Sequence, residues 1–252
     1  MDARVSTSLD TNGNKMTTTQ LTDQIALGTG ASRGIGAAAA EALARAGAHV
    51  ILTARTTADL EAVEERIHQA GGTATIAPLD LTDGDSIGRL AAAVTERWGK
   101  LDALVLNAAM LGTLGPVPAI DPKEFAKILT LNVGAQAALI AAFDPLLRAA
   151  APGKLIAVTS SVGAAPRAYW GAYGASKAAL ETLVLAYAEE QRNLGKVKVA
   201  ILDPGATRTR MREKAFPGED PACVKAPDVV GAQIAALLDE GFETGHRERV
   251  EA

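Results

Sequence analysis

The chain has 252 residues, of which 48% are hydrophobic and 21% are charged, a composition typical of soluble globular proteins. Its net charge of −4 gives no basis for binding nucleic acid or an anionic membrane. The single cysteine excludes an internal disulfide, and the three scattered histidines lack the spacing of metal ligands, so no metal site is expected.

The first 20 residues are polar and lack the apolar core of a signal peptide. We interpret residues 1–20 as a flexible tail, in which Met16 is an alternative start, and predict one domain over residues 21–252. The most apolar stretch, around Gln136–Phe143, is too short and too interrupted to cross a bilayer. We therefore expect a cytoplasmic protein.

From Leu21 onward, short apolar runs alternate with longer helical patterns. The apolar runs are predicted strands, namely Gln24–Gly28, His49–Thr53, Thr73–Leu79, Leu101–Leu106, Lys154–Thr159 and Val197–Leu202. The predicted helices are Ile35–Ala46, Asp59–Ala70, Ser86–Trp98, Pro122–Ala149 and Tyr173–Asn193. Because the strands are continuously apolar, helices should cover both faces of the sheet. The order predicts a single-domain, Rossmann-like α/β fold with a doubly wound parallel sheet.

A glycine-rich turn, TGASRGIG, follows the first predicted strand. Its spacing is Gly-x3-Gly-x-Gly, which differs from the G-x-G-x-x-G fingerprint. Such a turn lets the backbone approach a pyrophosphate, while the next helix supplies N–H donors and its dipole. A purely structural tight turn is the alternative. The predicted phosphate-binding residues are Gly30, Ser32, Arg33, Gly34, Ile35 and Gly36.

The end of the second predicted strand bears on the choice of nucleotide. An acidic residue there would bind the ribose diol of NAD, whereas this chain has Thr53-Ala54-Arg55. Arg55 and Arg33 are suited to neutralise a 2′-phosphate through charge-assisted hydrogen bonds. Two solvated arginines are the alternative. Because both flank the same predicted pocket, NADP(H) is favoured over NAD(H).

Several motifs resemble those of the short-chain dehydrogenase/reductase family. They are TGASRGIG and, far downstream, YGASK, in which only Tyr173 of the three tyrosines has a lysine four residues later. The resemblance runs from about Leu21 to the C-terminus. The catalytic tetrad that it implies is Asn132, Ser160, Tyr173 and Lys177. The further cofactor contacts that it implies are Asp80, Asn107, Pro204, Gly205 and Thr209, together with Tyr173 and Lys177.

The family's serine falls on Ser160 when the chain is aligned without gaps, and on Ser161 if the loop is one residue shorter. The chain also departs from the family pattern at two places. The usual Asn-Asn-Ala-Gly motif is Leu106–Ala109 (LNAA) here, and Gly28 stands where a branched residue is usual. A glycine inside a strand weakens its pairing.

Tyr173 and Lys177 lie four residues apart on a predicted helix and so share one face. An adjacent ammonium favours the phenolate and should bring the phenol pKa down from about 10. The resemblance implies hydride transfer between NADP(H) and a carbonyl or secondary alcohol, with Tyr173 as general acid–base. It also implies that Ser160 donates to the substrate oxygen, that Lys177 binds the ribose hydroxyls, and that Asn132 holds a water in a proton relay.

The substrate is open at this point: a small ketone or aldehyde, or a 3-oxoacyl thioester, would each fit. Candidate pocket residues are Met110, Leu111, Arg167, Tyr169, Trp170 and Met211–Lys225. The last segment is mixed in polarity and interrupted by proline, which suits either a mobile lid or a plain surface loop.

Two other functions fit the same fold: a non-catalytic NADP(H)-binding sensor or scaffold, and an NAD-dependent alcohol dehydrogenase. The resemblance also implies self-assembly, since relatives form dimers and tetramers through helices that match Asn132–Ala149 and Tyr173–Asn193. A homodimer or homotetramer is therefore expected; the alternative is that both helices are simply buried within the monomer.

Overall fold

The strands of the protein form a parallel sheet at the centre of an α/β fold. A computed structural model describes residues 21–251; the predicted tail and the alternative start at Met16 lie outside them. The sheet has seven strands in the order β3-β2-β1-β4-β5-β6-β7, all paired in parallel. The strands are β1 Ile25–Thr29, β2 His49–Ala54, β3 Thr73–Pro78, β4 Ala103–Leu106, β5 Gly153–Val158, β6 Val197–Asp203 and β7 His246–Arg249. The predicted fold class is confirmed.

Helices cover both faces of the sheet. They are α1 Gly34–Arg45, α2 Thr57–Gln69, α3 Gly84–Trp98, α4 Pro122–Leu129, α5 Ala135–Ala150, α6 Ser161–Ala164, α7 Gly171–Arg192, α8 Arg210–Ala215 and α9 Pro227–Glu240. One apolar core lies between the sheet and α1, α2 and α9, and the other between the sheet and α3, α5 and α7. Successive residues of β1 enter opposite cores, Ala26 the first and Leu27 the second. This explains why the strands are apolar throughout rather than in alternation.

The predicted helix Pro122–Ala149 is present, but its winding changes in the middle. A π-helical turn, Thr130–Gly134, separates α4 from α5 and contains the buried Asn132. Single π turns inside α-helices occur frequently at functional sites, where they re-aim a side chain.

The length of the same helical run differs from the expectation about membrane spanning. Among residues 21–251, Pro122–Ala150 is 29 residues long and apolar enough, by length and composition, to cross a bilayer, so the stretch is not too short. Length and composition are a weak indication, because core helices of soluble proteins pass the same test. Leu139, Phe143 and Leu147 of the run are fully buried in the core against the sheet, while 33% of its most apolar window is buried within the described chain.

Gly28 is paired on both sides within the sheet, and the weakening of β1 expected from a glycine stays a prediction. It pairs with Leu52 of β2 and with Val105 of β4. The residue is buried, yet a Cβ placed on it would have no other atom within 4 Å. The strand therefore passes a small open space on this side.

We expect Gly28→Ala to raise the free energy of unfolding by about 1 kcal/mol, because it restricts the unfolded chain and buries a methyl group without a clash. The midpoint of thermal unfolding should rise by about 2–4 °C. Gly231→Ala is the matched control. A Cβ there would lie 2.5 Å from the backbone carbonyl of Ala38, where α9 packs on α1, so this variant should melt earlier. A Gly28→Ala protein that melts below the parent would contradict the expectation.

Candidate active site

A cavity of about 950 Å³ opens at the carboxyl ends of the strands. It lies where the strand order reverses between β1 and β4, which is the place where doubly wound sheets bind ligands. All the predicted site residues line it except Gly36 and Asn132. Both lie next to residues that do line it. Gly36 packs against the backbone of Gly30, and Asn132 is hydrogen-bonded to Met110.

The glycine turn brings backbone to the cavity wall because side chains have no room there. A Cβ on Gly36 would overlap the carbonyl oxygen of Gly30, and Gly30 itself has φ +64. Helix α1 begins at Gly34; the side chain of its N-cap residue, Arg33, makes no capping hydrogen bond, and its first turn contains no acidic residue. Free amides and the positive end of the helix dipole therefore face the cavity, an arrangement that fits a phosphate group.

Asn107 holds this turn in place. Its side-chain Nδ2 donates to the carbonyl oxygen of Thr29 at 2.9 Å, and its backbone N–H donates to the Thr29 hydroxyl at 2.9 Å. The resemblance implied a cofactor contact for Asn107. It lines the cavity, but its amide N–H group is engaged by the turn, so its role in this structure is to fix β1 to β4 at the site.

Two arginines line the cavity beside the glycine turn and the end of β2. Arg33 and Arg55 are exposed and line it, and neither forms an ion pair with another residue between 21 and 251. Asp80 faces the same space and accepts hydrogen bonds from the N–H and hydroxyl of Thr82. These bonds, with the charge of Arg55, hold the pKa of Asp80 below its ordinary value. This end of the cavity thus offers two free guanidinium groups and one carboxylate acceptor.

Tyr173 and Lys177 are buried on α7, with 6% and 2% of their surfaces exposed. The Lys177 Nζ donates to the carbonyl oxygen of Val158 at 2.9 Å and lies 5.8 Å from the centre of the Tyr173 ring. Burial lowers the pKa of Lys177 to about 8, although the negative charge of Glu181 acts to raise it. Burial, with the charge of Asp203, raises the pKa of Tyr173 above its ordinary value.

The expected fall in the phenol pKa is therefore not found in this structure. Lys177 directs its hydrogen bond to Val158, and loss of solvent outweighs any help that the ammonium gives the phenolate. The phenol of Tyr173 is protonated, which is the form that donates a proton.

The structure distinguishes the two candidate serines. Ser160 lines the cavity and Ser161 does not. Ser160 precedes α6, but its side chain does not cap that helix, so among residues 21–251 its hydroxyl is free to bond a ligand. Ser161 is exposed in the first turn of α6.

The side chain of Asn132 is hydrogen-bonded to neighbouring protein groups. Its Oδ1 accepts from the backbone N–H of Met110 at 2.9 Å, and its Nδ2 donates to the Met110 carbonyl and the Ser176 hydroxyl. Both amide N–H groups are thus satisfied. The π turn aims Asn132 at the loop after β4 and fixes that loop, so the predicted water would have to be held by another atom of the residue.

An apolar wall surrounds the phenol. Leu111 and Val162 form a buried cluster with Tyr173, and Trp170 and Met211 pack against it. The Trp170 ring meets the Tyr173 ring edge-on at 6.0 Å between centres. Of the other pocket candidates, Met110 lines the cavity, but Arg167 and Tyr169 do not; the Arg167 guanidinium lies over Phe216 and Trp170.

The segment Met211–Lys225 contains most of α8 and a 3₁₀ turn at Pro221–Cys223, and its movement as a lid stays a prediction. The start of α8 is capped by the Thr209 hydroxyl, which accepts from the N–H of Arg212 at 3.1 Å. Arg212 forms two hydrogen bonds to Glu219, at 2.7 and 2.5 Å, and stacks 3.7 Å from the centre of the Phe216 ring. These contacts fold the segment over one side of the cavity.

Some functional candidates were missed by the sequence argument. Lys127, Arg208 and Arg210 line the cavity, and the run TRTRMR is the signal that indicates two of them. The buried Glu181 influences the pKa of Lys177, and Asp203 influences that of Tyr173. Glu181 carries a signal as well, since it lies four residues after Lys177 on the same helix face.

Comparison with known proteins finds matches along most of the chain. A family profile described as short chain dehydrogenase matches residues 24–220. The uncharacterized oxidoreductase YciK of Escherichia coli K12 is 38% identical over 224 residues, which are 87% of this chain and 88% of that protein. A short-chain dehydrogenase from Shigella flexneri 2a complexed with NADP is 35% identical, with a TM-score of 0.89, and covers 93% of this chain and 100% of that chain. One from Escherichia coli CFT073 complexed with NADPH is 36% identical, with a TM-score of 0.86, over 94% of this chain and 100% of that chain.

Proposed function

Because the chain belongs to the short-chain dehydrogenase family, we propose that it is an NADP(H)-dependent oxidoreductase acting on a carbonyl compound or its secondary alcohol. One observation carries the proposal: the buried phenol of Tyr173 and the free hydroxyl of Ser160 line the same cavity. A sensor or scaffold that only binds the nucleotide would not need this pair, so the non-catalytic alternative is not favoured.

The residues of the cavity fit NADP(H). The uncapped first turn of α1 and the glycine backbone before it suit the pyrophosphate. Arg33 and Arg55 suit the 2′-phosphate, since both are free of ion pairs within the described chain. Asp80 suits the adenine amino group as an acceptor. The Shigella and E. coli relatives that bind NADP and NADPH support this choice over NAD(H).

When bound, NADPH supplies the hydride that reduces the carbonyl carbon. Tyr173, protonated because it is buried, donates its proton to the carbonyl oxygen. Ser160 donates a hydrogen bond to the same oxygen and stabilises the negative charge that develops there. Lys177 adds a positive charge below about pH 8. Alcohol oxidation runs through the same groups in reverse, with the phenolate of Tyr173 accepting the proton of the alcohol.

The apolar wall around Tyr173 indicates a substrate with an apolar group beside its carbonyl. Leu111, Trp170 and Met211 would contact that group. A small ketone or aldehyde, or a 3-oxoacyl thioester, meets this requirement.

Assembly into a homodimer or homotetramer through α5 and α7 is part of the proposal. The most apolar window of Pro122–Ala150 is only 33% buried within the single chain, which leaves apolar surface for a second copy. A cytoplasmic location agrees with this use of the helix, because its apolar residues then contact protein rather than lipid.

The proposed function is tested with a panel of ketones, aldehydes and 3-oxoacyl thioesters. Oxidation of NADPH is measured by its absorbance with each compound, and the same assay is run with NADH. Oxidation of NADPH by at least one class is expected. NADPH that binds without oxidation across the whole panel would contradict the enzyme assignment.

Arg55→Ala is expected to weaken NADPH binding by roughly 10–100-fold, since one charge-assisted hydrogen bond to a phosphate contributes about 1.5–3 kcal/mol. NADH binding should not change, because NADH lacks the 2′-phosphate. Fluorescence titration of both nucleotides measures the effect. Arg45→Ala, an exposed arginine of α1 outside the cavity, is the control. Equal losses of NADPH and NADH affinity would contradict the role of Arg55.

A further inference from the structure

A buried carboxylate lies directly behind the Tyr–Lys pair. Glu181 follows Lys177 by one helical turn on α7 and is only 7% exposed. Its Oε1 accepts from the Thr159 hydroxyl at 2.6 Å, and its Oε2 accepts from Nη1 of Arg247 at 2.8 Å. A buried carboxylate is costly unless it is paired and hydrogen-bonded, and here each oxygen has a strong donor.

These bonds tie α7 to the end of β5. Lys177 donates to the carbonyl of Val158, and Glu181 accepts from Thr159, the next residue. Two side chains one turn apart on α7 therefore hold two successive residues of the segment that leads into Ser160. This double attachment holds the two residues before Ser160 against the helix of Tyr173.

Helix α6 packs closely on the carboxylate from one side. A Cβ placed on Gly163 of α6 would lie 3.0 Å from Oε1 of Glu181 and 3.1 Å from Cβ of Lys177. Helix α6 thus closes over the space between the two side chains. Glycine at this position is what allows α6 to pack so closely on α7.

The edge strand β7 supplies the balancing charges. Arg247 and Arg249 are two residues apart and so point to the same face of the strand. Arg247 pairs with Glu181, and Arg249 lies 3.6 Å from Asp203. The groups next to Lys177 are the Tyr173 ring and the Glu181 carboxylate, both from α7. Behind them, Arg247 of β7 pairs with Glu181, and Asp203 of β6, which acts on Tyr173, pairs with Arg249.

We propose that Glu181 is a positioning residue for the proposed reaction, fixing the end of β5 against α7 and keeping a negative charge beside Lys177. The inference rests on the proposed function. The charge of Glu181 acts through Lys177. Burial disfavours the ammonium form of Lys177, and the nearby carboxylate favours it. Its bond to Thr159 acts through Ser160, by holding the residue before it.

Glu181→Gln removes the charge and the bond from Arg247, while the amide oxygen can still accept from Thr159. In a ¹⁵Nζ NMR titration, with the Lys177 signal assigned by its loss in Lys177→Arg, the parent midpoint should lie at about 8. In Glu181→Gln the midpoint should move to lower pH, and the alkaline limb of kcat/KM for carbonyl reduction should move with it. Glu189→Gln, an exposed glutamate of the same helix that pairs with Arg192, should leave both in place.

Thr159→Val is the second variant, for the case in which Glu181→Gln does not fold. It removes the hydroxyl but keeps the charge, so the midpoint of Lys177 should stay while kcat falls by a few-fold to about tenfold. An unmoved midpoint in Glu181→Gln, or full kcat in Thr159→Val, would overturn the inference. A parent chain that reduces no carbonyl would overturn the proposed function instead, and the titration would still test the charge of Glu181.

Discussion

Tyr173→Phe is expected to lower carbonyl reduction by about 10²–10⁴-fold, the usual contribution of a positioned general acid. Phenylalanine keeps the ring and its contact with Trp170, so the apolar wall and the fold should survive. Binding of NADPH should stay nearly intact, because the arginines and the glycine turn that fit the nucleotide lie elsewhere in the cavity. Single-turnover reduction and a parallel nucleotide titration separate the two effects.

Tyr187→Phe is the matched control for this variant. Tyr187 is a buried tyrosine of the same helix, and its hydroxyl donates to Asp144 at 2.7 Å, away from the cavity. Loss of this hydrogen bond to a carboxylate should cost about 1.5–3 kcal/mol of stability and leave turnover unchanged. Parental turnover in Tyr173→Phe would show that another group protonates the substrate.

Ser160→Ala is expected to reduce kcat by about 10²–10³-fold, as when one donor to a developing oxyanion is removed. The neighbouring variant Ser161→Ala should have little effect, because Ser161 lies outside the cavity. Both residues are small and neither is fully buried, so folding should not obscure the comparison. A large loss in Ser161→Ala with an active Ser160→Ala would show that the loop adopts the alternative alignment.

The sequence was informative about the strands of the core because apolar runs decide which residues the sheet can bury. It missed β7, whose sequence HRER has no apolar pattern; this edge strand exists only because it pairs with β6. Helix α9 did carry a signal, with Pro227 in its first turn and Val230, Ile234 and Leu238 spaced by four. The π turn at Asn132 had none, since it depends on how two helices meet the loop after β4.

The motifs located the site better than they described its chemistry. Spacing placed Tyr173 and Lys177 on one helix face, as found. It could not show that Lys177 bonds the carbonyl of Val158, a residue 19 positions earlier, or that burial raises the pKa of Tyr173. Desolvation and partner choice come from tertiary packing, so a motif identifies the residues of a reaction without giving their protonation.

The bond between Asn107 and Thr29 has a consequence for synthesis of the chain. It joins residues 78 positions apart, and β1 pairs with β4 across a similar separation, at Leu27 and Leu104. The glycine turn is therefore complete only after β4 has left the ribosome and docked beside β1. Contacts of such long separation form slowly, so the nascent chain carries an unfinished phosphate-binding turn through the first half of its translation.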